Sequence, residues 1–598
     1  DNRGLFDVLT QGNVYRNGGR KAFEAAAEAE LAQATALASA DFDADGRVDL
    51  AAVNANGDVQ LLTNQGDGMS KWFRVKLTGV KNLKTGYGSE VEIKAGAYYQ
   101  KQTYRGVPLY FGMGPRAQAE TVRISWPNGM IQNQVRENTG RAIEYKEAPR
   151  LSGSCPMIFT WNGKEYTFIT DVLGVAPLGA SSGDGTYFPV DHDEYIQIPG
   201  ESLVAREGKY EVRVTEELKE VSYLDQIQLI AVDHPANVEI FTNDKFKAPP
   251  FPEFRLFGAE KRVYPDSATD DKKQNVLPKL LKRDRAYADT FPRDFEGRAG
   301  MHSLNLDFGK AAKDGRAVLI LNGWVDWADG STFRGASQGK GNELVMPYLQ
   351  VKDARGQWKT VVEDMGIPSG KPKTISVDLA GKFLSASREV RIVTNLCVYW
   401  DEIFLSENSN APQVITTPMK PLTADLHFRG FSKLVLDRER KQPEGFIYGK
   451  VSSDAPWNPT SGYYTRYGEV ANLLETPDDR MLIMGSGDEV TMLFGAETLP
   501  AVREGWKRDF LLLVDGWAKD ADANTAFSRT VEPLPFHGMS SYPYPKDEKF
   551  PEDEEHRKYT NLYNTRPALV LLRSLSYRTE DLWQHQQAES QQTKFARK

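Results

Sequence analysis

The nine residues Asp41-Phe42-Asp43-Ala44-Asp45-Gly46-Arg47-Val48-Asp49 constrain this chain more than any other stretch. Carboxylates stand at alternating positions, then a glycine, then a further Asp three residues on. Ca2+ takes roughly six to eight hard oxygen ligands, and this spacing lets Asp41, Asp43 and Asp45 converge while Gly46 makes the sharp turn. The backbone carbonyl of Arg47 and the carboxylate of Asp49 would complete much of the shell. An EF-hand needs a bidentate Glu at the twelfth loop position and a following helix. Here that position is Ala52, and Val48-Asp49-Leu50-Ala51-Ala52-Val53 reads as a buried strand. The motif therefore predicts a strand-loop-strand calcium site. The plainer reading, an acidic solvated turn, accounts less well for three alternating Asp, the glycine and the later Asp.

A chain of 598 residues exceeds one hydrophobic core, and at roughly 150 residues per domain about four domains are expected. The net charge of −8, with Lys and Arg scattered among acids, argues against a nucleic-acid partner. No run approaches the roughly 18 apolar residues of a membrane span, and the first residues have no signal-peptide pattern. The two cysteines, Cys155 and Cys397, exclude a disulfide-dense scaffold; they either pair across a long loop or are two buried thiols. Seven histidines without HExxH or paired CxxC give a zinc or redox centre no local motif, and GxSxG and Walker motifs are absent.

Asp1 to Leu9 repeats the second half of the calcium loop, with Gly4 matching Gly46 and Asp7 matching Asp49. Arg3 replaces the third acid, which makes this copy a poor cation site. Each loop is followed by a strand, a turn and a strand: Phe6 to Gln11 then Asn13 to Arg16, and Val48 to Asn54 then Val59 to Thr63. This pattern resembles the FG-GAP (VCBS-type) repeat, whose family fold is a β-propeller with calcium loops between blade strands. The resemblance covers residues 1 to 69 and implies a truncated propeller, with further blades ahead of Asp1. Lys21 to Ala40, rich in Ala and Glu, reads as helix by propensity alone. The repeat instead calls for at most a short helix before a strand near Ala36 to Phe42.

Residues 70 to 147 alternate strands with Gly-rich turns. Trp72 to Leu77, Gly86-Tyr87-Gly88-Ser89, Tyr110-Phe111-Gly112-Met113-Gly114 and Val122 to Gly129 resemble the ASPIC/UnbV domain. That family follows FG-GAP repeats in cartilage acidic protein-like extracellular proteins and in bacterial relatives, and carries no established activity. The rest reads as a β module over 148 to 240, a β-sandwich with a long irregular insertion over 241 to 410, a C-terminal β-rich module over 411 to 576 and a polar tail over 577 to 598. Asn162-Gly163 marks a hairpin turn. Ser154-Cys155-Pro156, Thr170 to Gly174, Asp193-Glu194-Tyr195, Tyr464 to Gly468 and Thr530 to Ser540 resemble the uncharacterised region that follows ASPIC/UnbV in large bacterial proteins of this type.

Other constellations are weaker. Lys519 to Asn524 places oxygens at alternating positions but lacks the glycine, and Ser528 stands where the ninth Asp would be. Asp191-His192-Asp193-Glu194 with Asp184 forms an acidic cluster; paired carboxylates roughly 5 to 10 Å apart serve glycoside hydrolysis, although loop acids are more commonly just solvated. Trp324 and Trp327 flank Asp326, and Trp400 closes a strand; Trp324 and Trp400 read as core. Tyr463 to Tyr467 and Tyr542-Pro543-Tyr544 read equally as core or as stacking platforms for a sugar or a protein.

The sequence thus predicts a mainly β chain: partial β-propeller, ASPIC/UnbV β domain, then β-sandwich or jelly-roll modules. The expected protein is bacterial, secreted, periplasmic or at the cell surface. It would bind Ca2+ through Asp41, Asp43, Asp45, Arg47 and Asp49, and act as a non-catalytic recognition, adhesion or scaffold protein for a protein or glycan partner. The competing expectations are an enzyme acting on a carbohydrate or secondary metabolite through carboxylates in the C-terminal half, and a subunit of a larger envelope assembly. No nucleic-acid partner and no membrane span are expected.

Overall fold

The computed structural model describes residues 2–10, 13–19, 22–28, 34–66, 70–148, 156–183, 185–295, 297–309, 317–326, 329–338, 343–406, 413–437, 442–454 and 458–568. Asp1, Cys155, Asp184, Trp327 and the tail 577–598 lie outside them, and so does the pairing of Cys155 with Cys397. The chain is mainly β, divides into a unit over Asp1–Arg150 and a unit over Leu151–Leu572, and contains no closed sheet among the described residues.

In the first unit, Val8–Thr10, Asn13–Asn17 and Phe23–Glu28 form one three-stranded sheet, and Ala34–Ala40, Asp49–Asn54 and Val59–Leu62 form another. The Ala/Glu-rich segment is therefore extended where it is described. Its pairing with Asn13–Asn17 and Asp49–Asn54 overrides a helix propensity worth only tenths of a kcal/mol per residue, about 0.5. The core beneath the second sheet is thin, with Ala34 and Ala52 buried and Leu37, Leu50 and Leu62 partly so. Residues 71 to 146 are denser. Lys71–Thr78 alternates so that Phe73, Val75 and Leu77 point inward, and it lies between Leu109–Gly114 and the parallel strand Arg141–Lys146. A four-stranded sheet of Ile131–Asn138, Gln118–Ser125, Glu90–Ala95 and Tyr98–Thr103 contributes Val91, Ile93, Val122 and Ile124 to the same core.

The second unit holds two sandwiches. One sheet of the first runs Tyr166–Asp171, Met157–Trp161, Lys209–Thr215, Asp488–Gly495, Thr423–Phe428, Gly468–Glu469. The other runs Asp193–Ile198, Trp506–Asp520, Glu220–Pro235, Ile415–Met419, with Leu482–Met484 also on Glu220–Pro235. Segments 148–240 and 411–576, read separately along the sequence, thus interleave in the same two sheets. Val212, Val214, Leu426, Val490 and Met492 share a core with Ile196, Leu229, Leu512 and Val514. The second sandwich is carried between these halves. Its sheets centre on Val318–Val325 with Val398–Ser406, and on Arg298–Asp307 with Glu389–Leu396. Val318–Val325 is buried along its whole length because the hairpin Glu239–Thr242/Leu256–Ala259 covers its outer face through Phe241 and Phe257. Trp324 and Trp400 are core residues, and so are Tyr464 and Tyr542; Tyr463 alone of that tyrosine cluster is exposed. Cys397 is buried.

Candidate functional site

The aspartate loop forms the turn between Ala34–Ala40 and Asp49–Asn54. Asp41 accepts hydrogen bonds from Asp45 N (3.0 Å) and Gly46 N (3.0 Å), Asp43 from Asp45 N (3.2 Å), and Asp45 from Arg47 N (2.8 Å). Each is a short Asp-to-backbone bond of the kind that fixes a turn. The result brings ligand oxygens of Asp41, Asp43 and Asp45 within 4.8 Å of one another. Asp49 is almost fully buried. Its oxygens accept from Phe42 N (2.8 Å) and Asn64 N (2.7 Å), so it clamps the loop entry to the exit of the following hairpin. The Arg47 side chain donates from Nε to Asn64 O (2.7 Å) and pairs with Asp45. Arg74 Nη1 lies 3.8 Å from Asp41 Oδ2. Gly46 has φ +87° and lies flat on Trp72: a Cβ there would fall 1.9 Å from the indole Nε1.

The N-terminal copy repeats this geometry. Asn2 and Ala44 both have left-handed φ (55° and 63°), as do Gly4 and Gly46. A Cβ on Gly4 would fall 2.5 Å from the Tyr98 ring. Asp7 accepts from Asn17 N (2.8 Å) as Asp49 does from Asn64 N. Asn2 Nδ2 donates to Gly46 O (2.9 Å), and Asn2 O accepts from Gly114 N (2.8 Å). Arg3, where the third acid would stand, lies 3.6 Å from Asp7.

In the second unit, the acidic run 191–194 is split by strand geometry, since neighbouring residues of Asp193–Ile198 face opposite sides. Glu194 is buried and meets Lys373 Nζ (2.7 Å), which also pairs with Asp171 (3.1 Å). Burial pushes the Glu194 carboxyl up despite that lysine. Among the described residues its Oε2 has no close hydrogen-bond partner, although the Leu173 amide also draws the carboxyl down. Glu194 lines a cavity of about 280 Å³ together with Lys373, Asp244, Lys245 and Tyr195. Burial raises Asp244 well above the usual carboxylate range and lowers Lys245 to about 8. In the run 519–524, Asp522 is buried and bonds Ser331 Oγ (2.5 Å) and Asn524 N (2.7 Å), tying down the helix Gly330–Ser337.

Five further side chains meet at a place that no local motif marks. His192 precedes Asp193–Ile198, Asp515 lies in Trp506–Asp520, and Asp225 lies in Glu220–Pro235. Asp479 and His537 come from loops. His192 Nδ1 and His537 Nε2 each lie 2.9 Å from an oxygen of Asp515. His537 Nδ1 is 2.7 Å from Asp479 Oδ1, and Asp479 N donates to Asp225 Oδ2 (2.8 Å). The backbone is shaped for this. Asp225 is the extra residue of a β-bulge opposite Asp515 and Gly516, a device that re-aims a side chain. Gly516 passes so close to Tyr223 that a Cβ would sit 2.0 Å from its carbonyl oxygen. Asp479 takes a left-handed φ of 64°. Burial opposes charge on His537, but hydrogen bonds to Asp479 and Asp515 push it up to about 10. Burial likewise opposes charge on Asp515, yet its bonds to His192 and His537 hold it below its usual value. Asp225 is pushed up to about 7, chiefly by burial.

His192 was visible in the sequence only as part of an acidic run, and His537 only within a longer resembling segment. Asp225, Asp479 and Asp515 gave no signal, because partners as far as 323 residues apart form no spacing pattern.

No family model and no curated protein matches the chain. Among solved structures, the N-terminal CBM22-1-CBM22-2 tandem domain of Paenibacillus barcinonensis Xyn10C is 10% identical, covering 49% of this chain and 88% of that chain at a TM-score of 0.13. A chain of the Sulfolobus Turreted Icosahedral Virus structure is 11% identical, covering 56% of this chain and 91% of that chain at a TM-score of 0.11. At these scores neither likeness bears on fold or function.

Proposed function

We propose that this chain is a calcium-bound recognition or scaffold protein acting outside the cytoplasm, secreted, periplasmic or at the cell surface, with a protein or glycan partner. In this reading residues 1 to 69 are blades of an FG-GAP-type propeller, and residues 70 to 147 are an ASPIC/UnbV module. The observation that carries it is the convergence of Asp41, Asp43 and Asp45 on a backbone whose turn geometry recurs at Asn2, Gly4 and Asp7. A backbone form that recurs in both copies, with the acids kept in one, fits a blade turn to which a cation adds in that copy. Ca2+ would neutralise three carboxylates that otherwise repel, with Asp49 holding the loop shut behind it and the Arg47 carbonyl adding a ligand. Millimolar extracellular Ca2+ fills even a weak site of this kind. The edge strand Val59–Leu62, with Val59 and Leu61 exposed, supports a neighbouring blade or subunit beside it. Calorimetric titration of chelator-treated protein should show Ca2+ binding that Asp43→Asn/Asp45→Asn abolishes. Equal heats from both proteins would sink the reading.

The cavity around Glu194 favours a second reading, action on a carbohydrate or secondary metabolite. It combines a buried carboxylate oxygen that has no close hydrogen-bond partner among the described residues with a lysine lowered to about 8. A glycan-hydrolysis screen with Glu194→Gln as control tests it, and activity unchanged in that variant would remove Glu194 from it.

A further inference from the structure

We propose that His192, His537 and Asp515 form a binding site for a first-row divalent transition ion, with Zn2+ the best fit. His192 Nδ1, His537 Nε2 and one Asp515 oxygen would be the ligands. The inference concerns the second unit and does not depend on calcium at the aspartate loop.

Three observations carry it. The first is the donor set. Two imidazole nitrogens and a carboxylate are a three-ligand set that leaves zinc an open fourth position, and the three donor atoms lie within 4.8 Å of one another. Ligands about 2.0–2.1 Å from a tetrahedral ion are about 3.4 Å apart. His192 Nδ1 meets Asp515 Oδ2 and His537 Nε2 meets Asp515 Oδ1, each at 2.9 Å, so an ion would replace one contact directly and reach the other nitrogen after a small turn of the carboxylate. His192 is 43% exposed, which leaves the approach on its side accessible.

The second is the support behind His537. Its other nitrogen, Nδ1, faces Asp479 at 2.7 Å, and its backbone N donates to the same carboxylate oxygen (2.8 Å). A metal-ligating histidine almost always makes such a contact from its second ring nitrogen, which sets the tautomer and raises the basicity of the ligating nitrogen. Trp517 flanks both rings at 5.9 and 4.9 Å and restricts their rotation.

The third is charge. Asp225 is fully buried and its Oδ1 has no partner among the described residues, while its Oδ2 anchors Asp479 and lies 3.4 Å from His537 Nδ1. Among the described residues no lysine or arginine bonds to Asp225, Asp479 or Asp515, although Arg480 lends Asp225 a longer-range positive charge, so the hydrogen-bonding groups gathered here are three carboxyls and two imidazoles. A divalent ion would add its charge where those donors converge. Binding would expel the proton on His537 Nε2 and any on His192 Nδ1 to solvent.

The test uses the full chain, stripped with chelator and then held in excess Ca2+ so that the aspartate loop is occupied. Zn2+ is titrated calorimetrically and Co2+ by visible absorption. One Zn2+ per chain with a Kd of about 1 μM or tighter is expected, together with a Co2+ spectrum showing nitrogen ligation. His192→Ala, on the exposed side, should keep its circular dichroism and lose at least about 100-fold in affinity. Asp479→Asn should lose about 10- to 100-fold through its hold on His537. Absence of Zn2+ binding, or affinity unchanged in both variants, overturns the proposal and leaves His537 as an imidazolium clamped between two carboxylates.

Discussion

The aspartate loop of the first unit and the histidine-aspartate centre of the second use similar side chains and are built by opposite routes. In the loop, Asp41, Asp43 and Asp45 are placed by bonds to backbone groups two to five residues away. In the centre, each acid or imidazole arrives on a different strand or loop. A local site can form wherever its nine residues can turn. The distributed site exists only when two long strands have paired in one register, bulge included. The first therefore reports on its own turn, and the second on the integrity of a whole sandwich.

Substitutions that attack the backbone at each site break this comparison most sharply. Gly516→Ala forces a methyl into the Tyr223 carbonyl, and the cost should be about 4 kcal/mol, near the upper end for point changes. Hydrogen exchange of the Glu220–Pro235 amides measures it, and the loss should spread along the entire ladder. Protection within about 0.5 kcal/mol of the parent would show that the strands part without penalty. Gly46→Ala drives a methyl into the Trp72 indole and imposes a left-handed φ on a residue with a Cβ. About 3 kcal/mol is expected, confined to the loop and the strand Lys71–Thr78. Adding Trp72→Ala should recover part of it, and strict additivity would contradict the close packing of the two.

Asp49→Ala removes the acceptor for Phe42 N and Asn64 N and should cost about 2 kcal/mol by urea denaturation. Asp7→Ala, at the degenerate copy, should cost about 1 kcal/mol; equal costs would erase the distinction between the copies. A further test is a pH dependence in the second unit. Burial lowers Lys519 to about 7, where its Nζ donates to Val531 O (2.7 Å) and Tyr542 Oη (3.1 Å). Between that value and the ordinary 10.5, the unfolded chain holds the proton and the folded chain does not, so stability rises with pH. The slope is up to about 1.4 kcal/mol per pH unit. Lys519→Met should flatten it in urea titrations at pH 7, 8 and 9, and an identical slope would show that Lys519 stays charged in the core.

The strands were legible wherever alternation or a glycine turn marked them. Trp72 to Leu77, Tyr210 to Thr215, Val490 to Phe494 and the turn at Asn162-Gly163 correspond to strands and a turn of the structure. In the Ala/Glu-rich segment composition pointed to helix, whereas the repeat pattern called for a strand near Ala36 to Phe42, and the strand Ala34–Ala40 stands there; Phe23–Glu28 was not legible, since sheet pairing decides its form. Interleaving of 148–240 with 411–576 was equally hidden, because pairing partners leave no mark in either strand alone. The aspartate loop could be read because its geometry is encoded in successive residues. The centre could not, because Asp225 matters only as the bulge residue opposite Asp515, and a bulge is a property of two strands together.

The carriage of one sandwich inside another also sets an order for the newborn chain. Asp233 and Arg508, which face each other in the central ladder, are 275 residues apart. At roughly 5–20 residues per second of synthesis, Glu220–Pro235 leaves the ribosome tens of seconds before its partner strand exists. Meanwhile the intervening sandwich, whose contacts are nearer in sequence, is complete and can fold. The waiting strand offers Leu224, Ile227 and Leu229 with nothing yet to cover them, so production of this protein should depend on holdase chaperones, and on translation speed between residues 235 and 506, more than its final stability would suggest.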